Sequence, residues 1–135
     1  MIGLIIITHA QLAKELLEAA EFIVGAIEAA ECVSIDAMND SEKLRDMIEE
    51  KIDSLDQGQG VLVLTDMFGG TPSNIALSFL QKNIVEIVTG VNLPMVIAVA
   101  HNREENSLAE IADMAKAAGQ RSISLASELL KPTES

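Results

Sequence analysis

The sequence contains neither tryptophan nor tyrosine, and its aromatic residues are three phenylalanines among 135 residues. Aliphatic side chains and methionine must therefore build the core of what is, at this length, one domain of ordinary size. A single cysteine, Cys32, excludes a disulfide framework within the chain and fits a reducing compartment. A nucleophilic thiol is conceivable there, but a small buried side chain is the commoner role for a lone cysteine.

Basic residues are also scarce, with 9 Lys and Arg against 21 Asp and Glu, for a formal net charge of −12. This balance argues against nucleic acid and anionic membrane surfaces as partners, because both attract basic patches. The N-terminus has no basic segment, and its apolar run is too short for a signal peptide. No apolar run is long enough to cross a bilayer. We therefore expect a cytoplasmic protein without direct membrane insertion.

Short apolar runs alternate with stretches of helical periodicity along the chain. Two of the runs, at residues 2–7 and 61–64, are continuously apolar, as is typical of strands buried on both faces. Two further strands are predicted at residues 32–36 and 85–89. The alternation predicts an α/β fold: a single-domain, mainly parallel, doubly wound sheet with helices on both faces.

The first predicted helix begins at or just after His9 and ends near Gly25 or soon after it. Its inward-facing residues are expected to recur at helical spacing. These are Leu12, Leu16, Ala20, Ile23 and Ile27.

Later elements follow from caps and periodicity. Asp40 or Ser41 can cap a second helix, and Ser107 a later one that ends near Gly119. Residues 94–101 are apolar enough for a buried short helix, although a strand fits the same pattern. A last short strand is predicted at residues 121–125, and residues 131–135 are expected to form a disordered tail.

Polar residues follow three of the predicted strands. Thr8 and His9 close the first, Asp66 begins the segment 66–73 after the third, and residues 90–94 follow the fourth. The carboxyl ends of parallel strands meet at one sheet edge, where open α/β sheets bind ligands. We therefore expect a histidine, a carboxylate and a glycine-rich turn to converge there.

This combination suits phosphoryl transfer through a histidine. A neutral imidazole can attack phosphorus with one ring nitrogen while a carboxylate holds the N–H of the other and stabilises the developing charge. His9 is the candidate nucleophile and Asp66 the candidate carboxylate.

The phosphoryl oxygens need small donors around them. Backbone N–H groups at the start of the first helix and at the turn of Gly69, Gly70 and Thr71 can supply them. The hydroxyls of Thr8, Thr71 and Ser73 are further candidates. This chemistry calls for no metal and no other cofactor, and the sequence offers no good cage of metal ligands.

Each residue also has an ordinary structural interpretation. His9 could cap a strand, Asp66 could cap the next turn, and Gly69 with Gly70 marks a tight turn. Asn92 could stabilise a loop, and His101, before a charged run, fits a solvated helix end. The combination at one sheet edge, rather than any one residue, carries the prediction.

The motifs resemble a known family. Gly-Leu-Ile-Ile-Ile-Thr-His at 3–9, Thr-Asp-Met-Phe-Gly-Gly-Thr-Pro-Ser-Asn at 65–74 and Gly-Val-Asn-Leu-Pro-Met at 90–95 are similar to the mannose-family IIA domain. That domain belongs to the bacterial phosphoenolpyruvate-dependent sugar phosphotransferase system. The resemblance covers nearly the whole chain in order and spacing, with a IIA domain at residues 1–130.

The resemblance implies a phosphotransferase that carries a phosphohistidine intermediate on His9. The phosphoryl group comes from the carrier protein HPr and passes to a IIB component during sugar uptake, with Asp66 orienting His9. It also implies a homodimer in which the C-terminal strand, here near residues 122–125, is exchanged between subunits and runs antiparallel to the others. Many chains of the family continue into a IIB domain, so this one is either a free-standing subunit or an excised domain.

Two other functions use the same residues. A regulatory protein could signal the phosphorylation state of His9 to another protein, and the phosphoryl donor subunit of dihydroxyacetone kinase shares the fold and the early histidine. The Gly-Gly-Thr-Pro block favours the mannose type. A dinucleotide-binding protein is disfavoured, because no Gly-x-Gly-x-x-Gly motif follows the first strand.

Overall fold

A computed structural model describes residues 1–36, 40–67 and 71–130. The strands are β1 (Gly3–His9), β2 (Ala30–Ile35), β3 (Val61–Thr65) and β4 (Val85–Thr89). The helices are α1 (Leu12–Val24), α2 (Ser41–Leu55), α3 (Thr71–Leu77), α4 (Leu93–Asn102), α5 (Leu108–Arg121) and α6 (Ala126–Leu129).

The four strands form one parallel sheet in the order β2-β1-β3-β4. The two continuously apolar runs occupy its centre, as predicted, and Leu4–Ile7 and Val61–Leu64 are almost completely buried. From β1 the chain crosses to β2 on one side, whereas from β3 it crosses to β4 on the other. The connections therefore diverge between β1 and β3, and the carboxyl ends of these strands flank the crevice where such sheets bind ligands.

Each face of the sheet carries its own apolar core, which confirms the expected layers. Leu4, Ile6, Leu62 and Leu64 pack on one face with residues of α1, α4 and α5. The alternate residues, among them Ile5 and Val63, pack on the other face with α2 and α3. Successive side chains of a strand point to opposite faces, so each central strand contributes to both cores.

The orientation predicted for α1 is wrong in part. The helix ends at Val24, Leu12 and Ile23 are exposed, and Ile27 is buried beyond the helix end. The residues that face the sheet are Ala13, Leu17, Ala20 and Val24. Apolar residues lie along two adjacent stripes of this helix, and packing against β1, β2 and α4 decides which stripe is buried.

Caps begin several helices as the sequence indicates. The Asp40 carboxylate, rather than Ser41, accepts the Lys43 N–H at 2.8 Å at the start of α2. Ser107 caps α5 in a reciprocal capping box with Glu110. Residues 94–101 are helical and lie within α4, whose N-terminus is capped by Asn92.

The strand predicted at residues 121–125 does not form within the single chain. Helix α5 continues through Gly119 to Arg121, and residues 122–125 form neither helix nor strand in this chain. Gly119 does not end the helix but lies buried within it, next to the terminal methyl of Met95. A strand forms only where a partner strand supplies its hydrogen bonds, and the segment has no such partner within the described chain. The predicted tail, residues 131–135, lies outside the described residues.

None of the helices in the described ranges is long and apolar enough to cross a membrane.

Candidate active site

His9 and Asp66 lie together at the carboxyl edge of the two central strands. His9 is the last residue of β1, and Asp66 directly follows Thr65, the last residue of β3. The parallel register places Ile7 opposite Thr65, so both chains leave the sheet side by side. The expected juxtaposition of the imidazole and the carboxylate is present in the structure.

One oxygen of Asp66 holds His9 in two ways. Asp66 Oδ2 accepts the backbone N–H of His9 at 3.0 Å and lies 2.9 Å from ring Nδ1. The other oxygen, Oδ1, accepts the Met67 N–H at 2.9 Å. The Asp66 side chain is 14% exposed and the His9 side chain 48%. The carboxylate is thus fixed and shielded, whereas the imidazole is accessible to another protein.

Asp66 is ionised at neutral pH. Burial alone would raise its pKa, but the hydrogen bonds from the His9 backbone and ring, with the Met67 N–H, outweigh burial and hold the pKa below its ordinary value. A carboxylate only accepts hydrogen bonds, so Nδ1 of His9 carries the ring proton. In the neutral imidazole the lone pair is then on Nε2, the nitrogen that Asp66 does not contact.

Thr8 is buried beneath this pair. Its side chain has no exposed surface, and its hydroxyl oxygen accepts the Ala13 N–H at 2.7 Å. The hydroxyl proton is within reach of the His9 carbonyl at 3.1 Å. The hydroxyl therefore ties the end of β1 to the first turn of α1, and a direct contact with a phosphoryl group stays a prediction.

Ala10 makes the turn between His9 and α1, and its role is not visible in the sequence. It has a left-handed backbone, with φ of 51°, and its N–H donates to the Ile35 carbonyl at 2.8 Å. Glycine and asparagine are the usual signals for this conformation. An alanine gives none, so sequence reasoning had no means of finding this position.

The other predicted phosphate ligands are described only in part. Gly69 and Gly70 lie outside the described residues, as do the side chains of Thr71 and Ser73. The backbone shows that α3 begins at Thr71. Their contribution to the site therefore stays a prediction.

Asn92, in the loop between β4 and α4, has a structural role. Its side-chain oxygen accepts the Met95 N–H at 3.1 Å, and its amide donates to the Gly119 carbonyl at 3.1 Å. It thereby caps α4 and ties that helix to α5. This geometry matches the loop-stabilising interpretation.

His101 and Cys32 show no sign of a second reactive centre. His101 lies exposed in the last turn of α4, as the solvated interpretation predicted. Burial, with the nearby Glu31 carboxylate, raises the pKa of the Cys32 thiol to about 11, and its sulfur lies 3.5 Å from the Ala13 carbonyl. The described residues contain no group of three or more His, Cys, Asp or Glu side chains that could hold a metal ion.

Sequence comparison decides the family. The family described as "PTS system fructose IIA component", the mannose-type IIA domains of the phosphotransferase system, matches residues 3–116. The chain belongs to this family. Membership in this family confirms the resemblance found in the motifs.

Individual relatives agree with this assignment. The fructose-specific EIIA component of Bacillus subtilis is 30% identical over 97% of this chain and 90% of its own length. The mannose-specific EIIAB component of Escherichia coli is 30% identical over 90% of this chain. The chain covers only 38% of the Escherichia coli protein.

The fold agrees as well. The mannose/sorbose-specific IIA subunit of Enterococcus faecalis superposes with a TM-score of 0.82, at 27% identity, over 98% of this chain and 97% of that one.

Proposed function

We propose that this IIA protein accepts a phosphoryl group on Nε2 of His9 from phosphorylated HPr and passes it to a IIB component during sugar uptake. The observation that carries the proposal is the double contact of Asp66 Oδ2 with the N–H and Nδ1 of an otherwise accessible His9. We place the protein in the cytoplasm with these two partners, as a IIA domain over residues 1–130.

The proposed transfer is a displacement between two imidazoles. The lone pair of Nε2 attacks phosphorus, a nitrogen–phosphorus bond forms at His9, and the bond to the donor imidazole breaks with its electron pair returning to the donor nitrogen. Positive charge develops on the His9 ring, and the adjacent Asp66 carboxylate stabilises it through Nδ1–H. Transfer to IIB is the same displacement, with His9 as the leaving group.

We further propose that the segment after Asp66 binds the phosphoryl oxygens. Donors would come from the backbone at Gly69 and Gly70 and from the hydroxyls of Thr71 and Ser73. Support comes from the chain path, because this segment joins Asp66 to the start of α3. Small residues and backbone N–H groups suit a compact, highly charged group.

The proposed active form is a homodimer that exchanges its C-terminal strand. Strand β4 pairs with β3 on one side and, within the described part of the chain, has no strand on the other. A groove of about 560 Å³ runs beside it, lined by residues of β4 and α5. Ile123 and Leu125 are 79% and 62% exposed. We propose that residues 122–125 of a second copy pair antiparallel with β4 and bury these side chains.

Intact-mass measurement tests the transfer. The protein is incubated with phosphoenolpyruvate, enzyme I and HPr, and it should gain the mass of one acid-labile phosphoryl group. His9→Ala should gain none, and the control His101→Ala should gain it at the wild-type rate. A phosphorylated His9→Ala protein would refute the assignment.

The second half of the proposal is tested by adding IIB components to the phosphorylated protein. Loss of the phosphoryl group to a IIB component is the expected result. A protein that is phosphorylated on His9 but passes the group to no IIB component would contradict the proposed role in sugar uptake.

Light scattering tests the exchanged strand. The wild-type protein should have the mass of a dimer, and Ile123→Asp should lower that mass towards the monomer. The matched change Glu128→Asp, in the adjacent short helix α6, should leave the dimer intact. A monomeric wild type would contradict the exchange without affecting the assignment of His9.

A further inference from the structure

We propose that Thr8 is a positioning residue for the phosphoryl transfer proposed above, and that its hydroxyl acts on the turn presenting His9 and not on the phosphoryl group. The inference rests on the proposed function only for its kinetic consequence. Its structural basis is the buried bridge from the Thr8 hydroxyl to the Ala13 N–H and the His9 carbonyl.

The oxygen and the proton of the Thr8 hydroxyl are both engaged in hydrogen bonds within the protein. The oxygen accepts the Ala13 N–H at 2.7 Å, and the proton points to the His9 carbonyl at 3.1 Å. A hydroxyl has one proton to donate, and the Thr8 side chain has no exposed surface. To donate to a phosphoryl group, this hydroxyl would have to withdraw its one proton from the His9 carbonyl and turn out of its buried position.

Thr8 also replaces a missing helix cap. Gln11 occupies the capping position of α1, yet its side chain makes no capping hydrogen bond. The first N–H groups of a helix have no partner within the helix. The hydroxyl of Thr8, in the strand before the turn, accepts the N–H of Ala13. The end of β1 and the start of α1 are therefore locked to each other across His9.

The turn between them needs such a lock. Ala10 is left-handed, with φ of 51°, a conformation that costs energy for a residue with a Cβ and persists only where its surroundings impose it. The hydrogen bond from Ala10 N–H to the Ile35 carbonyl fixes one side of the turn. The Thr8 bridge fixes the other.

His9 lies between Thr8 and Ala10, so the lock sets its backbone direction. That direction brings its N–H to Asp66 Oδ2 and its Nδ1 to the same oxygen. If the hydroxyl is lost, the turn relaxes and the ring contact loosens. The ring proton is then less firmly held on Nδ1, and fewer molecules present the Nε2 lone pair for attack.

Three variants separate this role from phosphate binding and from simple stabilisation. Thr8→Val keeps the shape and removes the hydroxyl, and Thr8→Ser keeps the hydroxyl. Ser107→Ala removes a cap of comparable kind from α5, at a distance from His9. Two quantities are measured: the tautomer of His9 by nitrogen-15 NMR on the unphosphorylated protein, and the rate of phosphorylation by phospho-HPr.

Thr8→Val should shift the ring proton towards Nε2 and slow phosphorylation on the order of tenfold, as expected for a transition state weakened by about one neutral hydrogen bond. Thr8→Ser should restore both quantities, and Ser107→Ala should alter neither. A wild-type tautomer and rate in Thr8→Val would overturn the proposal. Equal slowing in Ser107→Ala would show that Thr8 only stabilises the fold, and this result would also overturn the proposal.

A measurement on the wild-type protein covers the case in which Thr8→Val does not fold. The Ala13 amide should remain protected from hydrogen exchange both before and after phosphorylation, because Thr8 stays bound to it. Loss of that protection on phosphorylation would show that the hydroxyl turns to the phosphoryl group and would refute the proposal. If wild-type His9 is never phosphorylated, the proposed function fails, while the tautomer comparison still decides the role of Thr8.

Discussion

Asp66 Oδ2 accepts the backbone N–H of His9 at 3.0 Å and lies 2.9 Å from Nδ1 of the same residue. One oxygen of Asp66, the residue after β3, therefore sets both the direction of the chain at the end of β1 and the tautomer of the His9 ring. Position and protonation of the nucleophile cannot be altered separately, because both depend on this oxygen. The consequences can be tested at Asp66 itself.

Replacing Asp66 by asparagine should slow phosphorylation of His9 by roughly a hundredfold or more, a contribution typical of positioned acid–base groups. The amide has no charge to balance the developing imidazolium, and its N–H₂ can donate to Nδ1 and favour the wrong tautomer. Rapid-quench kinetics with phospho-HPr measure the rate, and circular dichroism confirms that the fold survives. An unchanged rate would remove Asp66 from the mechanism.

The ionisation of Asp66 also predicts how stability depends on pH. Because hydrogen bonds from His9 hold its pKa below the ordinary value in the folded state, the unfolded chain binds the proton more readily. Asp66 therefore contributes stability above its unfolded-state pKa and loses that contribution as pH falls through the folded-state pKa. Urea unfolding of the wild type and of Asp66→Asn is measured from neutral pH into acid. The difference between their free energies of unfolding should shrink as the pH falls. If the two free energies of unfolding changed in parallel with pH, the lowered pKa of Asp66 would be contradicted.

Arg103 stabilises the opposite end of the sheet. Its side chain is 4% exposed and donates to the carbonyls of Ile2, Ala29 and Glu28. Arg103→Lys should lower the free energy of unfolding by about 1–3 kcal/mol, because one ammonium cannot reach all three buried carbonyls. The control Arg121→Lys, at the exposed end of α5, should change it little. Urea denaturation measures both, and equal losses would refute a special role for Arg103.

Cys32 should be unreactive in the native protein. Thiolate is the reactive form, and burial raises the pKa of this thiol to about 11. Iodoacetamide at neutral pH should label the native protein far more slowly than the urea-unfolded chain, as followed by intact mass. Equal labelling rates in the two states would contradict the burial of the thiol.

The site was predictable where strand topology decided it. Continuous apolar runs identified β1 and β3 as central strands, and parallel pairing then required His9 and Asp66 to leave the sheet at the same edge. What depended on tertiary context was not predictable. The buried stripe of α1 is chosen by packing, since Leu12 and Ala13 begin two adjacent apolar stripes.

Two further features depend on partners that a sequence does not show. The left-handed turn at Ala10 is imposed by hydrogen bonds of its neighbours, and alanine carries no signal for it. A strand at residues 122–125 requires another strand beside it, which the described single chain does not supply. Exposed Ile123 and Leu125 are consistent with a partner from a second copy.

The most direct test of the account is to identify the phosphorylated atom. Protein labelled with nitrogen-15 in histidine is phosphorylated through enzyme I and HPr, and NMR couplings to phosphorus show which ring nitrogen carries the group. We predict phosphorus on Nε2 of His9 with the proton retained on Nδ1. Phosphorus on Nδ1, or on any residue other than His9, would contradict the proposed mechanism.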